Sequence, residues 1–396
     1  MKDLLLHVGF HKTATTSIQN TCYRNQDLLS KQGYFYPVFE LDKRKIWNHS
    51  IPFFSVFCPE PSTYHINILW GVSDDIERVN TIYLRQIDNL FDFSKVIISG
   101  EDISKLPEES LINLRDYFES KNVNLKVYCS VRKPYSATCS AIQQRIRGGT
   151  VNAKSLYGFQ IPRRSIDVKK LKGVFEDRIE FYNFESECRH SLGPVGAFFA
   201  RLGVDFEDFS FVNDANKGMG NVTTRLYAAI NQEFPIMKNG KLNPKRRSAD
   251  QKLSFDKTKF LLTDSELTSI RDQLEEENLD MCANLSEEYT DTNFNTSESF
   301  TINKDQALEI YSRACNPDFV AQSVLRFISS HADFQIYELA ESDPKNVELL
   351  RDIAIFLEQS NPFMSYKLMS LAYELRPNGV YIKKKLEEYQ KKMNPS

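Results

Sequence analysis

Three things are scarce in this 396-residue chain: paired cysteines, clustered histidines and long apolar runs. The seven cysteines (Cys22, Cys58, Cys129, Cys139, Cys188, Cys282 and Cys315) are scattered, odd in number and free of any Cys-x-x-Cys pair. That excludes a disulfide framework and the usual zinc spacings. The six histidines show no ligand spacing, so no metal is expected. No stretch reaches the roughly 18 consecutive apolar residues of a membrane span, and the first residues lack the design of a signal peptide. The chain is therefore expected in the cytoplasm. A net charge of −3 gives no general affinity for nucleic acid. The nucleotide triphosphatase loop, Gly-x-x-x-x-Gly-Lys-Ser/Thr, is absent as well.

What the chain does have is concentrated near its start. Leu4 to Val8 is apolar but for His7, which suits a parallel strand covered on both faces. Gly9-Phe10-His11-Lys12-Thr13-Ala14-Thr15-Thr16-Ser17 follows. Between Lys12 and Ser17 no apolar residue is larger than Ala, and hydroxyls crowd the point where a helix would begin. An anion there would meet unpaired backbone N–H groups, the positive end of the helix dipole and the Lys12 ammonium. A structural turn needs only one cap.

A second motif lies at Leu125 to Ser140. Arg132 follows a β-type run, Pro134 suits a first helical turn, and Ser140 stands eight residues after Arg132, with Ser136 one turn earlier. Arginine's planar fork grips phosphate oxygens in pairs, and a serine hydroxyl adds a neutral donor.

Together the two motifs resemble sulfotransferases that use 3′-phosphoadenosine 5′-phosphosulfate (PAPS), of the bacterial carbohydrate type. The first resembles the family's 5′-phosphosulfate loop, commonly Lys-x-Gly-Thr-Thr, and the second its 3′-phosphate site. Ala14 departs from the usual Gly, at a cost if the backbone there needs positive φ. The resemblance runs to about residue 290. It takes in Arg178 to Glu185 as a later core strand, Gly193 to Asp208 as a helix and Leu-Gly turn, Asn216 to Asn221 as a loop closing over the donor, and Leu267 to Asn284 as the last helix. It implies a P-loop-like α/β fold with a central, mainly parallel sheet flanked by helices. The implied donor site comprises Gly9, Lys12, Thr13, Ala14, Thr15, Thr16, Ser17, Arg132, Ser140, Lys217 and Gly218.

The implied reaction moves a sulfuryl group from PAPS, as co-substrate and without metal, to a hydroxyl of a polysaccharide or glycolipid. Lys12 is the candidate for neutralising the leaving oxygen. Two residues are candidates for the base. Val96 to Glu101 reads as a buried strand ending in a carboxylate, and ligands gather at such strand ends. His11 is the competitor, adjacent to the donor loop. Phe39 to Ser73, with Trp47, Phe53, Phe54, Phe57, Tyr64 and Trp70, would either stack on sugar rings or pack the core. A basic stretch from Arg145 to Lys172 would steer an anionic donor or be solvated charge; a second, from Lys238 to Lys252, reads more as solvated loop charge.

Residues 291–304 are polar and rich in turn formers, which marks a linker. Beyond it, 305–396 is expected to be all-helical. Val347 to Leu357 and Met364 to Leu375, joined through Asn361-Pro362, resemble a tetratricopeptide-type hairpin, with Tyr381 to Lys392 as the next helix. Such units make protein contacts, so a partner or a second copy is expected there. Two other functions fit less of the sequence. A small-molecule kinase on a P-loop-like fold needs a Gly-Lys-Ser/Thr order that is missing, and an inactive nucleotide-binding scaffold would leave the work to the helical C-terminus.

Overall fold

A computed structural model describes residues 2–212, 218–238, 241–243, 253–315 and 320–393. The chain opens with strand β1 (Lys2–His7), helices α1 (Thr15–Arg24) and α2 (Gln26–Lys31), strand β2 (Tyr34–Phe35) and a small hairpin of β3 (Phe39–Leu41) and β4 (Arg44–Ile46). Helices α3 (Ser50–Phe57), α4 (His65–Trp70) and α5 (Ile76–Asp88) lead to β5 (Lys95–Ser99), α6 (Glu108–Ser120) and β6 (Val123–Val131). Then come α7 (Pro134–Arg147), α8 (Arg164–Phe175), β7 (Ile179–Asn183), α9 (Phe184–Glu187) and α10 (Gly193–Leu202). Residues 221–268 supply α11 (Asn221–Glu233), the strand pair β8 (Met237–Lys238) and β9 (Lys241–Leu242), and α12 (Asp264–Thr268). Helix α13 (Arg271–Asn284) is followed by an extended run, then α14 (Lys304–Ala314), α15 (Ala321–His331), α16 (Glu338–Ser342), α17 (Val347–Phe356), α18 (Pro362–Leu375) and α19 (Val380–Met393).

The chain forms two compact units. One comprises residues 1–140, 161–217 and 271–294; the other comprises 141–160, 218–270 and 295–396. The first is α/β. Its five-stranded sheet has the order β2-β5-β1-β6-β7 and every pairing is parallel. The apolar run of β1 is buried on both faces for the reason its composition suggests. Leu4, Leu6 and Val8 enter one core with Val96, Ile98 and Val127, while Leu5 enters another with Ile97, Ile18 and Phe198. Strand β1 is central, and the chain first fills the sheet on the β5 side and then crosses to β6. That reversal makes the carboxyl end of β1 a topological switch point, where open α/β sheets leave a crevice.

The second unit is largely helical. Helices α17 and α18 form the antiparallel hairpin expected from the sequence, and α19 packs on α18. Pro362 stands at the start of α18, where its missing N–H costs nothing, and the Asn361 side chain caps that end by accepting from the Met364 N–H. Asn346 caps α17 in the same way, accepting from Leu349. Among the described residues no helix is long and apolar enough to cross a membrane.

Candidate functional site

The loop at the end of β1 is held from below. Phe10 N–H donates to the Ser130 carbonyl and Val8 N–H to that of Tyr128, so the loop leaves the sheet alongside β6. Thr13 turns inward, its N–H and hydroxyl both donating to the Phe10 carbonyl, at 3.2 and 2.6 Å. Gly9 is confined between two side chains. A Cβ there would stand 2.8 Å from Thr13 Oγ1 and 2.9 Å from His7 Nε2, closer than real contacts allow.

Two residues of the loop adopt the left-handed region, Lys12 at φ 73° and Ala14 at φ 62°. Each such L-residue costs roughly 1–2 kcal/mol, and such strain gathers where a ligand is to be held. Ala14 is the N-cap of α1 and has no side-chain acceptor to offer, so no side chain caps the first turn at Thr15, Thr16 and Ser17. The Thr15 hydroxyl is buried and has no hydrogen-bond partner, and the same holds for His7 Nε2. Burial pushes the His7 imidazole down to about 3, with the Arg201 charge adding to the effect, so it stays neutral. Its Nδ1 lies 2.9 Å from Ser99 Oγ. We expect Ala14→Gly to stabilise the fold by roughly 0.5–1 kcal/mol, because relief of the αL strain exceeds the added chain entropy. Urea unfolding measures it, and a loss of stability would show that the loop needs the Ala methyl group.

At the end of β5 stands a cluster that spacing alone did not reveal. Strand β5 stops at Ser99, and Glu101 and Asp102 begin a 3₁₀ turn, Glu101–Lys105. Gly100 permits the turn, since a Cβ would fall 2.5 Å from the Ser50 backbone N. His11 reaches both carboxylates. Its Nδ1 lies 3.3 Å from Glu101 Oε1, and its Nε2 lies 3.1 Å from Asp102 Oδ1. The Tyr64 hydroxyl donates to the second Asp102 oxygen at 2.7 Å.

These bonds fix charge states. Hydrogen bonds to Asp102 and then Glu101 outweigh burial and raise His11 to about 9, so it is an imidazolium at neutral pH. Burial pushes the Asp102 carboxyl up, but the hydrogen bonds from His11 and Tyr64 prevail and hold it below the usual range. Because the folded value exceeds the ordinary 6.5, the His11 contribution is complete below pH 6.5 and is lost as pH rises through about 9. The unfolding free energy of the wild type should therefore fall by up to about 3 kcal/mol relative to His11→Gln between about pH 6 and pH 10. Denaturant titrations at the two pH values check it; an unchanged difference between the two proteins would mean that the fold does not raise the His11 pKa.

Arg132, at the end of β6, brings the second motif to the first. Its Nη1 donates to the Lys12 carbonyl at 3.3 Å, and its Nε to Ser136 Oγ at 2.7 Å. The Phe184 ring lies 5.2 Å from the guanidinium, and Glu185 Oε1 3.8 Å from its Nε. Burial lowers the Arg132 pKa, with Glu185 opposing, yet a guanidinium stays cationic. Ser140 is half-buried, one helical turn beyond Ser136 and on the same face of α7.

The sequence-based candidates thus divide by place. Gly9, His11, Lys12, Thr13, Ala14, Thr15, Thr16, Ser17, Glu101, Arg132 and Ser140 all belong to the first unit, Gly218 belongs to the second, and Lys217 lies outside the described residues. Asp102 and His7 are additions, and Tyr64, one of the aromatics of the Phe39 to Ser73 segment, is found donating to Asp102. Packing accounts for most of the aromatic segment. Phe53 is fully buried, Trp47 stacks on Tyr23 at 4.4 Å and donates to Asn20, and Phe54 stacks on Tyr64. Much of the first basic stretch is likewise engaged. Arg163 meets Glu276, Glu277 and Asp280 of α13, and Lys170 donates to the Ser104 and Leu106 carbonyls. Lys245, Arg246, Arg247 and Lys252 of the second stretch lie outside the described residues. Compared with known proteins, the chain matches no family model, no curated protein and no solved structure.

Proposed function

We propose that the chain is a PAPS-dependent sulfotransferase on a P-loop-like α/β fold, acting on a carbohydrate hydroxyl. The observation that carries this reading is the 3.3 Å bond from Arg132 to the Lys12 carbonyl, which joins two motifs about 120 residues apart at the switch point beside β1. The strained loop, its uncapped helix start and the buried, unpartnered Thr15 hydroxyl support an anion in that place.

In this reading the Lys12 ammonium, the N–H groups at the start of α1 and the Thr15 and Thr16 hydroxyls hold the 5′-phosphosulfate. Arg132, with Ser136 and Ser140, holds the 3′-phosphate. The acceptor oxygen bonds to sulfur as the bond from sulfur to the bridging phosphate oxygen breaks, and adenosine 3′,5′-bisphosphate departs. Lys12 offsets the charge left on that oxygen. Of the two candidate bases the charge states favour Glu101, since His11 already carries its proton below about pH 9. His11 then serves as a fixed positive charge, held by Asp102 and Tyr64.

The carbohydrate class rests on the resemblance of the Gly-x-His-Lys-Thr-x-Thr-Thr-Ser loop to its bacterial counterparts. An acceptor screen with radiolabelled PAPS, without added metal, tests it. Transfer of label to a poly- or oligosaccharide is the expected result; no transfer from PAPS, with transfer from γ-labelled ATP in a parallel screen containing magnesium, would establish the kinase reading.

A further inference from the structure

The second unit holds a cavity of about 420 Å³, within the size range of small-molecule sites. It lies between α11 and α15, closed on one side by residues 153–157. Its lining combines the small apolar Ala228 and Ala229 with two aromatic rings, the buried Phe327 and Tyr157, which has 55% of its surface exposed. An aromatic ring so exposed, beside a cavity, is a platform for a flat apolar face.

The charges around it cancel. Glu266 accepts two bonds from Arg225, at 2.9 and 3.0 Å, and Glu233 pairs with Arg326. His331 adds no charge at neutral pH, since burial lowers its pKa. Its Nδ1 lies 2.8 Å from the Phe327 carbonyl, and its ring is stacked on Phe300 at 4.6 Å. With Nδ1–H donating to that carbonyl, Nε2 is left as an acceptor. Gln232 and Ser330 add neutral donors and acceptors to the lining. A charged ligand would find no uncompensated partner here, whereas a neutral ligand with hydroxyls would find the exposed Gln232 and Ser330 side chains beside the aromatic rings.

We infer that this cavity binds a neutral saccharide, one ring face on Tyr157, its hydroxyls toward Gln232, Ser330, His331 and the two ion pairs. The inference uses the second unit alone and does not depend on the reading of the Lys12 loop.

Saturation-transfer NMR on the full chain tests it, with methyl glucoside, methyl galactoside, methyl N-acetylglucosaminide, maltose and cellobiose, beside glucuronate and glucosamine 6-sulfate, each at about 5 mM to cover millimolar affinity. At least one neutral sugar should show transfer, with affinity falling about tenfold or more in Tyr157→Ala and in the cavity-filling Ala229→Phe. Lys12→Ala should leave it unchanged. The inference is overturned if no neutral sugar gives a signal, if both cavity variants bind as the wild type does, or if the anionic sugars bind more tightly. Binding of adenosine 3′,5′-bisphosphate, measured on the same samples, reports on the loop independently.

Discussion

Lys12→Ala should lower turnover about a hundredfold or more at saturating donor. An ammonium about 4 Å from the charge developing on the leaving oxygen is worth about 4 kcal/mol at an effective dielectric near 20. The backbone supports the assignment, because Lys12 is held at φ 73° by the loop while its carbonyl receives Arg132. The substitution deletes the charge and keeps a residue with a Cβ, so the loop has no new steric conflict. Steady-state kinetics at saturating donor separate the two effects: a fall in kcat marks lost transition-state stabilisation, while a rise in KM alone would mean that Lys12 only binds. Turnover within about threefold of wild type would remove Lys12 from the chemistry.

Glu101→Gln should also cost about a hundredfold or more, and the rate should lose its dependence on pH in the acid range. His11→Gln should cost no more than about tenfold, since in this account His11 stabilises charge and does not accept a proton. The pair of variants separates what the sequence left open. If His11→Gln abolishes the acid limb while Glu101→Gln keeps it, the roles are exchanged. A third substitution, Asp102→Asn, should lower the His11 pKa, because Asp102 is the larger of the two influences that hold it at about 9. Imidazole NMR titration reads that shift directly.

The parallel core was legible because burial on both faces leaves nearly unbroken apolar runs at Leu4 to Val8 and Val96 to Ile98, which fell in β1 and β5, while the β-type run Leu125 to Val131, interrupted by the exposed Lys126, fell in β6. Arg178 to Glu185 became β7 flanked by turns. The C-terminal hairpin was legible from its spacing and its Asn-Pro junction. The site was readable only where function concentrates unusual residues in one short stretch, as at Lys12 to Ser17. Asp102, and the part Tyr64 has beside it, escaped because no spacing connects residues 11, 64 and 102; the start of α3 meets the Gly100 turn at Ser50, and the Tyr64 hydroxyl donates to Asp102. His7 read as one more residue of a buried strand. Ala14 stood out as a departure from the resemblance, and its αL backbone explains why Gly would be the easier residue there. The two-unit division was not legible either, since residues 141–160 and 218–270 join the C-terminal helices across long separations in sequence.

The proposed activity requires the Lys12 loop and Arg132 to form one nucleotide site. Isothermal titration calorimetry with adenosine 3′,5′-bisphosphate, in chelator and without magnesium, measures this directly. One site per chain is predicted, at least about tenfold tighter than ATP with magnesium and weakened about tenfold or more by Arg132→Ala. Preference for ATP with magnesium, or binding of the bisphosphate that Arg132→Ala leaves intact, would contradict it.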